Sequence, residues 1–199
     1  MALVRTAFAA ALFAALLLIG GCGKRDGPQF QATDITGADF ARTLELTGHD
    51  GKPRTLADFQ GKVVVVFFGF VHCPDVCPTT LARFAAVMKA LGPDAERVQV
   101  LLVTVDPARD TTDVLAKYVT AFNPTFLGLT GDAAAIERTA KEFRVIYQKQ
   151  AGQTPDTYTV DHSSGVYVFD PNGRVRLFVS GAQDAAVLEH DIRLLLSGT

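Results

Sequence analysis

The sequence has no block of like charge. Its 19 lysine and arginine residues and 21 aspartate and glutamate residues are spread along 199 residues, and the net charge is −2. Nucleic-acid-binding surfaces usually require clustered basic residues, so this distribution argues against a nucleic-acid partner. Internal repeats and low-complexity segments are also absent beyond the N-terminal region, which argues for one ordinary globular domain.

Long apolar runs are scarce as well, and the one near the N terminus is too short to span a membrane. It extends from Ala7 to Ile19, whereas a spanning helix needs roughly 20 apolar residues. Arg5 precedes it, and Gly20-Gly21-Cys22 follows. The first 21 residues therefore indicate a secretory signal, whose end resembles a bacterial lipoprotein cleavage site with Cys22 as the lipidated residue. An uncleaved amphiphilic anchor is the alternative.

The rest of the chain divides into a linker and a domain. Residues 22–36 are polar and rich in glycine and charge, which predicts an anchor and linker. Residues 37–199 are long enough to bury a sizeable core in one domain.

Cysteine is the scarcest informative residue, with three in the chain. If Cys22 carries the lipid, only Cys73 and Cys77 remain, within the stretch FGFVHCPDVCPTT at residues 68–80. In the oxidising compartment that a secretory signal implies, such a pair is a structural disulfide, a redox pair or part of a metal site.

The pattern of apolar residues predicts an α/β fold. The runs at Val63–Phe70 and Val98–Val105 are apolar on both faces, which is typical of central strands covered by helices on both sides. Strands at Gly165–Phe169 and Val175–Val179 are joined by the turn sequence DPNG. Helices are predicted from Pro78, after Asp110–Asp113, from Asp132, and from Gln183 or Asp184 to Leu196. An extra N-terminal β-hairpin is predicted at residues 44–56, with its turn at residues 49–52.

The predicted order places the cysteine pair where a central strand passes into a helix, which is the thioredoxin arrangement. The amide groups at a helix N-terminus favour a thiolate, so we expect a lowered pKa for at least one cysteine. Three residues, Pro74, Asp75 and Val76, separate the two cysteines. This spacing allows either a disulfide or a bound ion and does not decide between them.

A histidine occupies the place where thioredoxin-like oxidoreductases carry a cis-proline. The strand at Gly165 is preceded by Asp161-His162-Ser163-Ser164, without a proline. We therefore expect His162 to project toward Cys73 and Cys77. Two thiolates and one imidazole suit Cu(I), and the nitrogen makes Cu(II) acceptable.

These motifs together resemble the SCO/SenC family of thioredoxin-like proteins for the synthesis of cytochrome c oxidase. The resemblance covers about residues 34–196, and its motifs are FGFVHCPDVCPTT, VDPARDT at residues 105–111, and DHS before GVYVFDPNG. It implies a central mixed sheet with helices on both faces, and copper ligands at Cys73, Cys77 and His162. It also implies delivery of copper to, or reduction of, the binuclear copper centre in subunit II of cytochrome c oxidase. The predicted lipid anchor places the protein at the periplasmic face of a bacterial membrane.

Two functions share the same thiols. The first is a lipid-anchored copper metallochaperone, which exchanges copper with subunit II and with other periplasmic copper carriers. The second is a thiol-disulfide oxidoreductase, which uses a Cys73–Cys77 disulfide and a thiol reductant to reduce the cysteines of the oxidase copper site. His162 favours the first, because a redox pair needs no imidazole. A peroxiredoxin motif is absent before Cys73, and no general base for zinc hydrolysis is visible.

Other polar residues near these motifs are given structural roles. We expect Asp106 to form the turn into Pro107 and Asp110 to cap the following helix. His49 and His190 are expected on the surface. His72 adjoins Cys73, and we do not expect it to be a ligand. Asp75 lies in the loop between the cysteines and is either a contact for a partner or a solvated side chain.

Overall fold

The computed structural model describes residues 29–152, 157–180 and 183–198. The predicted signal, Cys22 and part of the predicted linker lie outside these residues. Within them, no helix combines the length and the apolar character needed to cross a membrane.

An eight-stranded mixed sheet forms the centre of the domain, in the order β1-β10-β9-β4-β5-β6-β2-β3. Strand β4 pairs in parallel with β5, and β5 with β6, whereas the remaining neighbours are antiparallel. Strands β7 and β8 form a separate two-stranded ribbon. The strands are β1 Thr33–Asp34, β2 Glu45–Gly48, β3 Pro53–Thr55, β4 Val63–Gly69, β5 Val98–Thr104, β6 Leu127–Thr130, β7 Tyr147–Gln150, β8 Thr159–His162, β9 Val166–Phe169 and β10 Val175–Val179.

Four α-helices pack on the sheet, and two short 3₁₀ helices lie at Leu56–Phe59 and Gly92–Arg97. The α-helices are α1 Val76–Leu91, α2 Thr112–Phe122, α3 Ala133–Glu142 and α4 Ala185–Leu196. Asp132 caps α3 as predicted, since its carboxylate accepts a hydrogen bond from the backbone N of Ala135 at 2.7 Å. Helix α2 is capped by Thr111 and not by Asp110, so that prediction is wrong.

The core lies on both faces of the sheet. Alternate residues of β4 point to opposite sides: Val65 and Phe67 join the cluster that contains α1, α2 and α4, while Val66 and Phe68 join the cluster that contains α3. All seven residues of β4 are buried. The predicted central strand, with helices on both faces, is therefore confirmed, and burial of this apolar surface is the main favourable contribution to folding.

The structure adds strands that the sequence did not predict. Strand β6 has four residues and follows a proline-containing turn, and β7 reads YQKQ with no buried residue. Four residues are too few for β6 to be recognised by its alternation of apolar residues, and β7 shows no such alternation. The predicted hairpin at residues 44–56 is present as β2 and β3. Helix α1 begins at Val76, two residues before the predicted start, so Cys77 lies in its first turn.

Candidate metal centre

The two cysteines lie at the connection between β4 and α1. Both are free thiols, and they differ in exposure, because Cys77 is fully buried while Cys73 is half-buried. The backbone N of Cys77 donates a hydrogen bond to Cys73 Sγ at 3.4 Å. The unpaired amides at the start of a helix need acceptors, and here one of them is satisfied by sulfur.

A glycine makes room for the buried sulfur. Gly69 is the last residue of β4, and a Cβ atom at this position would lie 2.7 Å from Cys77 Sγ and 2.9 Å from Phe67 Cε2. Non-bonded carbon and sulfur atoms cannot approach so closely without displacement. Glycine at the end of β4 therefore allows α1 to place Cys77 against the sheet.

The third group, His162, lies at the end of β8, and its side chain turns toward the sulfurs as predicted. The Nε2 atom lies 3.6 Å from Cys77 Sγ, and Nδ1 lies 3.0 Å from the carbonyl oxygen of Ser163. Since a carbonyl oxygen can only accept a hydrogen bond, Nδ1 carries the proton. The lone pair of Nε2 is then available to bind a metal ion. This is the usual way in which a second hydrogen bond orients a metal-binding histidine.

The three side chains form a compact group that fits a soft metal ion. The ligand atoms of Cys73, Cys77 and His162 all lie within 4.8 Å of one another. Two sulfurs and one imidazole nitrogen are a donor set for Cu(I), Cu(II) or Zn(II).

Burial dominates the electrostatics of Cys77. It raises the pKa of this thiol well above its ordinary value, because desolvation disfavours the thiolate. The expectation of a lowered pKa is therefore wrong for Cys77. Its sulfur points into the core from the first turn of α1, and the loss of hydration outweighs the helix N-terminus.

A buried carboxyl group, Asp110, supports the loop before the cysteines. Its Oδ2 atom accepts hydrogen bonds from the backbone N of Val71 at 3.0 Å and from Thr104 Oγ1 at 2.7 Å. Its Oδ1 atom is buried without a partner among the described residues. Desolvation raises the pKa of Asp110. The residue predicted as a helix cap thus connects the cysteine loop to the end of β5.

The second acidic residue of the VDPARDT motif is also buried. Asp106 is 3% exposed, forms an ion pair with Arg109 and accepts a hydrogen bond from Tyr158 Oη at 2.7 Å. No role for Arg109 or Tyr158 was predicted from the sequence. The position of Arg109 three residues after Asp106, directly after a central strand, could have indicated a role for Arg109. No sequence pattern indicated a role for Tyr158.

The other polar residues lie apart from the Cys-Cys-His group. His72 and Asp75 are exposed, and neither is part of the cluster of ligand atoms. His190 is exposed as expected and donates through Nδ1 to Asp191. His49 is half-buried, and its Nδ1 accepts a hydrogen bond from the backbone N of Gly128 at 3.1 Å, so its placement on the surface was only partly right.

The fold and the site together define a class of thioredoxin-like proteins with a Cys-Cys-His metal centre. The family model described as SCO1/SenC matches residues 32–197. The chain belongs to this family, as its motifs predicted.

Similar proteins come from bacteria and from mitochondria. A mitochondrial SCO2 homolog of Bos taurus is 37% identical over 85% of this chain, which spans 65% of the length of the bovine protein. The copper-bound structure of Bradyrhizobium japonicum ScoI is 35% identical, with a TM-score of 0.70 over 76% of this chain and 96% of that one. A SCO1/SenC family lipoprotein from Bacillus anthracis is 28% identical, with a TM-score of 0.70 over 84% and 99% of the two chains.

The contact between Gly69 and Cys77 gives a first prediction. We expect Gly69→Ala to destabilise the domain by about 1–3 kcal/mol, as overpacked cores do, and to displace the Cys77 sulfur. Gly128→Ala in strand β6 is the matched control, because its Cβ would lie 2.9 Å from Cβ of Leu115 in helix α2. Urea unfolding should show losses in both variants, whereas titration with Cu(I) as a probe ion should show weakened binding in Gly69→Ala alone. Equal Cu(I) affinity in the two variants would contradict this.

The raised pKa of Asp110 gives a second prediction. The folded state holds the proton more tightly than the unfolded state, so the stabilisation is present at low pH. It is lost as the pH rises from the ordinary carboxyl value of about 4 toward the higher folded value. Asp110→Asn does not titrate, and we expect its free energy of unfolding to increase relative to the wild type over that range. Urea unfolding at several pH values measures this, and a difference that is independent of pH would show that the pKa is not raised.

Proposed function

We propose that this protein is a copper metallochaperone for the assembly of cytochrome c oxidase, with Cys73, Cys77 and His162 as its copper ligands. One observation carries the proposal: the two sulfurs and the imidazole Nε2 lie within 4.8 Å of one another. The copper-bound ScoI structure, at 35% identity, supports copper as the ion. The finer proposal is that the recipient is the binuclear copper centre of subunit II.

The exposure of the ligands is suited to transfer. Cys77 is fully buried, while Cys73 and His162 are half-buried. A groove of about 300 Å³ opens beside them, lined by Phe70, Cys73, Pro74, Val76, Thr159, Val160, Asp161, His162 and Ser164. Copper passes between proteins when a thiolate of the recipient replaces one ligand at a time, so at least one ligand must be reachable. Here the buried sulfur retains the ion while the two accessible ligands exchange.

A thiol-disulfide oxidoreductase is the second candidate, and the hydrogen bond from the Cys77 amide to Cys73 Sγ favours it. In this reaction the more exposed Cys73 thiolate attacks a client disulfide, and Cys77 then resolves the mixed disulfide. The client gains two electrons and two protons, the Cys73–Cys77 pair becomes a disulfide, and an external thiol reductant restores it. His162 has no part in these steps, which makes it the residue that separates the two functions.

We also propose where the protein acts. A lipid on Cys22 would hold the domain of residues 37–199, through the linker of residues 22–36, at the periplasmic face of a bacterial membrane. The sequence before the domain and the similar Bacillus anthracis lipoprotein support this. Other periplasmic copper carriers are proposed donors, and thiol reductants are proposed partners of the cysteine pair.

His162→Ala tests the proposed function. We expect loss of Cu(II) binding and a smaller loss of Cu(I) binding, because two thiolates satisfy Cu(I) whereas Cu(II) prefers a nitrogen donor as well. His190→Ala removes an exposed histidine on α4 and serves as the control. Copper titration measures the affinities, and oxidase activity in cells that lack the native gene measures function at low copper. Full oxidase assembly by His162→Ala would refute the chaperone function and favour the reductase.

A further inference from the structure

The histidine of the proposed copper site is carried by an element that is not part of the central sheet. Strands β7 and β8 pair with each other through the register from Tyr147–His162 to Gln150–Thr159. In contrast, Cys73 and Cys77 follow the central strand β4. The distance from imidazole to sulfur therefore depends on the short connection from His162 to β9 and on the side-chain contacts that hold the ribbon against the sheet.

One group of contacts holds the ribbon at the residue that precedes β8. The guanidinium carbon of Arg109 lies 3.6 Å from the centroid of the Tyr158 ring, and Nη1 donates to the Tyr158 carbonyl oxygen at 3.0 Å. Arg109 Nε forms an ion pair with Asp106, which also accepts the hydrogen bond from Tyr158 Oη. Three residues thus form a closed ring of contacts between the end of β5 and the start of β8.

The Tyr158 ring is held from both sides. Lys149 of β7 places its Nζ atom 3.6 Å from the same ring centroid as Arg109. Two cations cannot occupy one face of a ring at that distance, so they lie on opposite faces. Cation–π contacts of this kind strengthen when the cation is removed from water. Arg109 therefore contacts a residue that is itself packed within the ribbon.

A second path leads from Arg109 to the imidazole. The guanidinium carbon lies 6.0 Å from the centroid of the Phe70 ring, and that ring meets the His162 ring edge-on at 5.9 Å. Phe70 is 1% exposed, so it has little freedom to move. The fixed ring limits where the imidazole can lie on the side that faces the sheet.

We propose that Asp106, Arg109 and Tyr158 form a clamp that positions His162 at the copper site. This inference rests on the proposed function, because it takes His162 as a copper ligand. None of the three clamp residues is itself in the group of ligand atoms. When the clamp is weakened, the ribbon spends part of its time with the imidazole away from the sulfurs. The apparent affinity then falls in proportion to the fraction of molecules that remain competent to bind.

Arg109→Lys is the principal test. Lysine keeps the charge but lacks the planar fork that pairs with Asp106 while stacking on Tyr158. We expect about 10- to 100-fold weaker Cu(II) binding, as is usual when a residue that orients a ligand is changed. The thiolate-to-Cu(II) absorption band should also shift, which a general loss of stability would not produce. Wild-type affinity together with an unchanged band would overturn the proposal.

Arg176→Lys is the matched control. Arg176 is also paired with a buried aspartate, Asp170, and lies 5.4 Å from the Phe30 ring, on strand β10. This variant should lose a comparable amount of stability in urea unfolding and keep the Cu(II) affinity and band of the wild type. If Arg176→Lys changes copper binding as much as Arg109→Lys does, the effect is one of general stability and the clamp is refuted.

A mutant cycle shows whether Arg109 acts through His162. Cu(I) affinity is measured by chelator competition in the wild type, in Arg109→Lys, in His162→Ala and in the double variant. We expect Arg109→Lys to weaken Cu(I) binding when His162 is present and to have no further effect when it is absent. Equal losses in both backgrounds would refute the clamp.

A second variant and the Cu(II) binding of His162→Ala complete the test. If Arg109→Lys does not fold, Tyr158→Phe replaces it, since it removes only the hydroxyl bond to Asp106 and keeps the ring. We expect the same direction of change with a smaller loss, and no change would overturn the proposal. If the single variant His162→Ala still binds Cu(II), the proposed copper site is wrong. If His162→Ala loses Cu(II) while the clamp variants do not, only the clamp is wrong.

Discussion

The packing of the Cys77 sulfur against the end of β4 is the constraint on which the site depends. Gly69 leaves no side chain between sheet and sulfur, so α1 begins close to the strand and Cys77 is fully buried. Cys73 then lies four residues earlier, in the loop before α1, where the Cys77 amide donates a hydrogen bond to its sulfur. A bulkier residue at the end of β4 would move the first turn of α1 and, with it, both sulfurs.

The proposed copper site assigns retention and release of the metal ion to different ligands. The buried sulfur lies on the rigid part of the fold, because β4 and α1 belong to the core. The imidazole lies on a ribbon that pairs only within itself among the described strands. A site with one fixed and one movable ligand can bind an ion firmly and still open for exchange. The proposed clamp at Arg109 sets how far the movable part departs from the sulfurs.

Much of the fold followed from the sequence, and the reasons for the rest are physical. Strands β4 and β5 were predicted because both of their faces are apolar, and His162 because the place of a proline was occupied by an imidazole. The ribbon was missed because its residues are largely polar and half of them are exposed. The pKa of Cys77 was predicted wrongly because α1 begins two residues earlier than expected and directs the sulfur into the core. Arg109 and Tyr158 are 49 residues apart, and their contact is a product of tertiary packing.

The most direct test of the account is X-ray absorption spectroscopy at the copper edge of the Cu(I)-loaded protein, which counts the atoms bound directly to copper and can be applied to His162→Ala because that variant is expected to retain Cu(I). The account predicts two sulfur atoms from Cys73 and Cys77 and an imidazole nitrogen from His162. The imidazole signal should disappear in His162→Ala and persist in His190→Ala. A spectrum without sulfur, or an imidazole signal that survives in His162→Ala, would contradict the assignment of these three residues as the copper ligands.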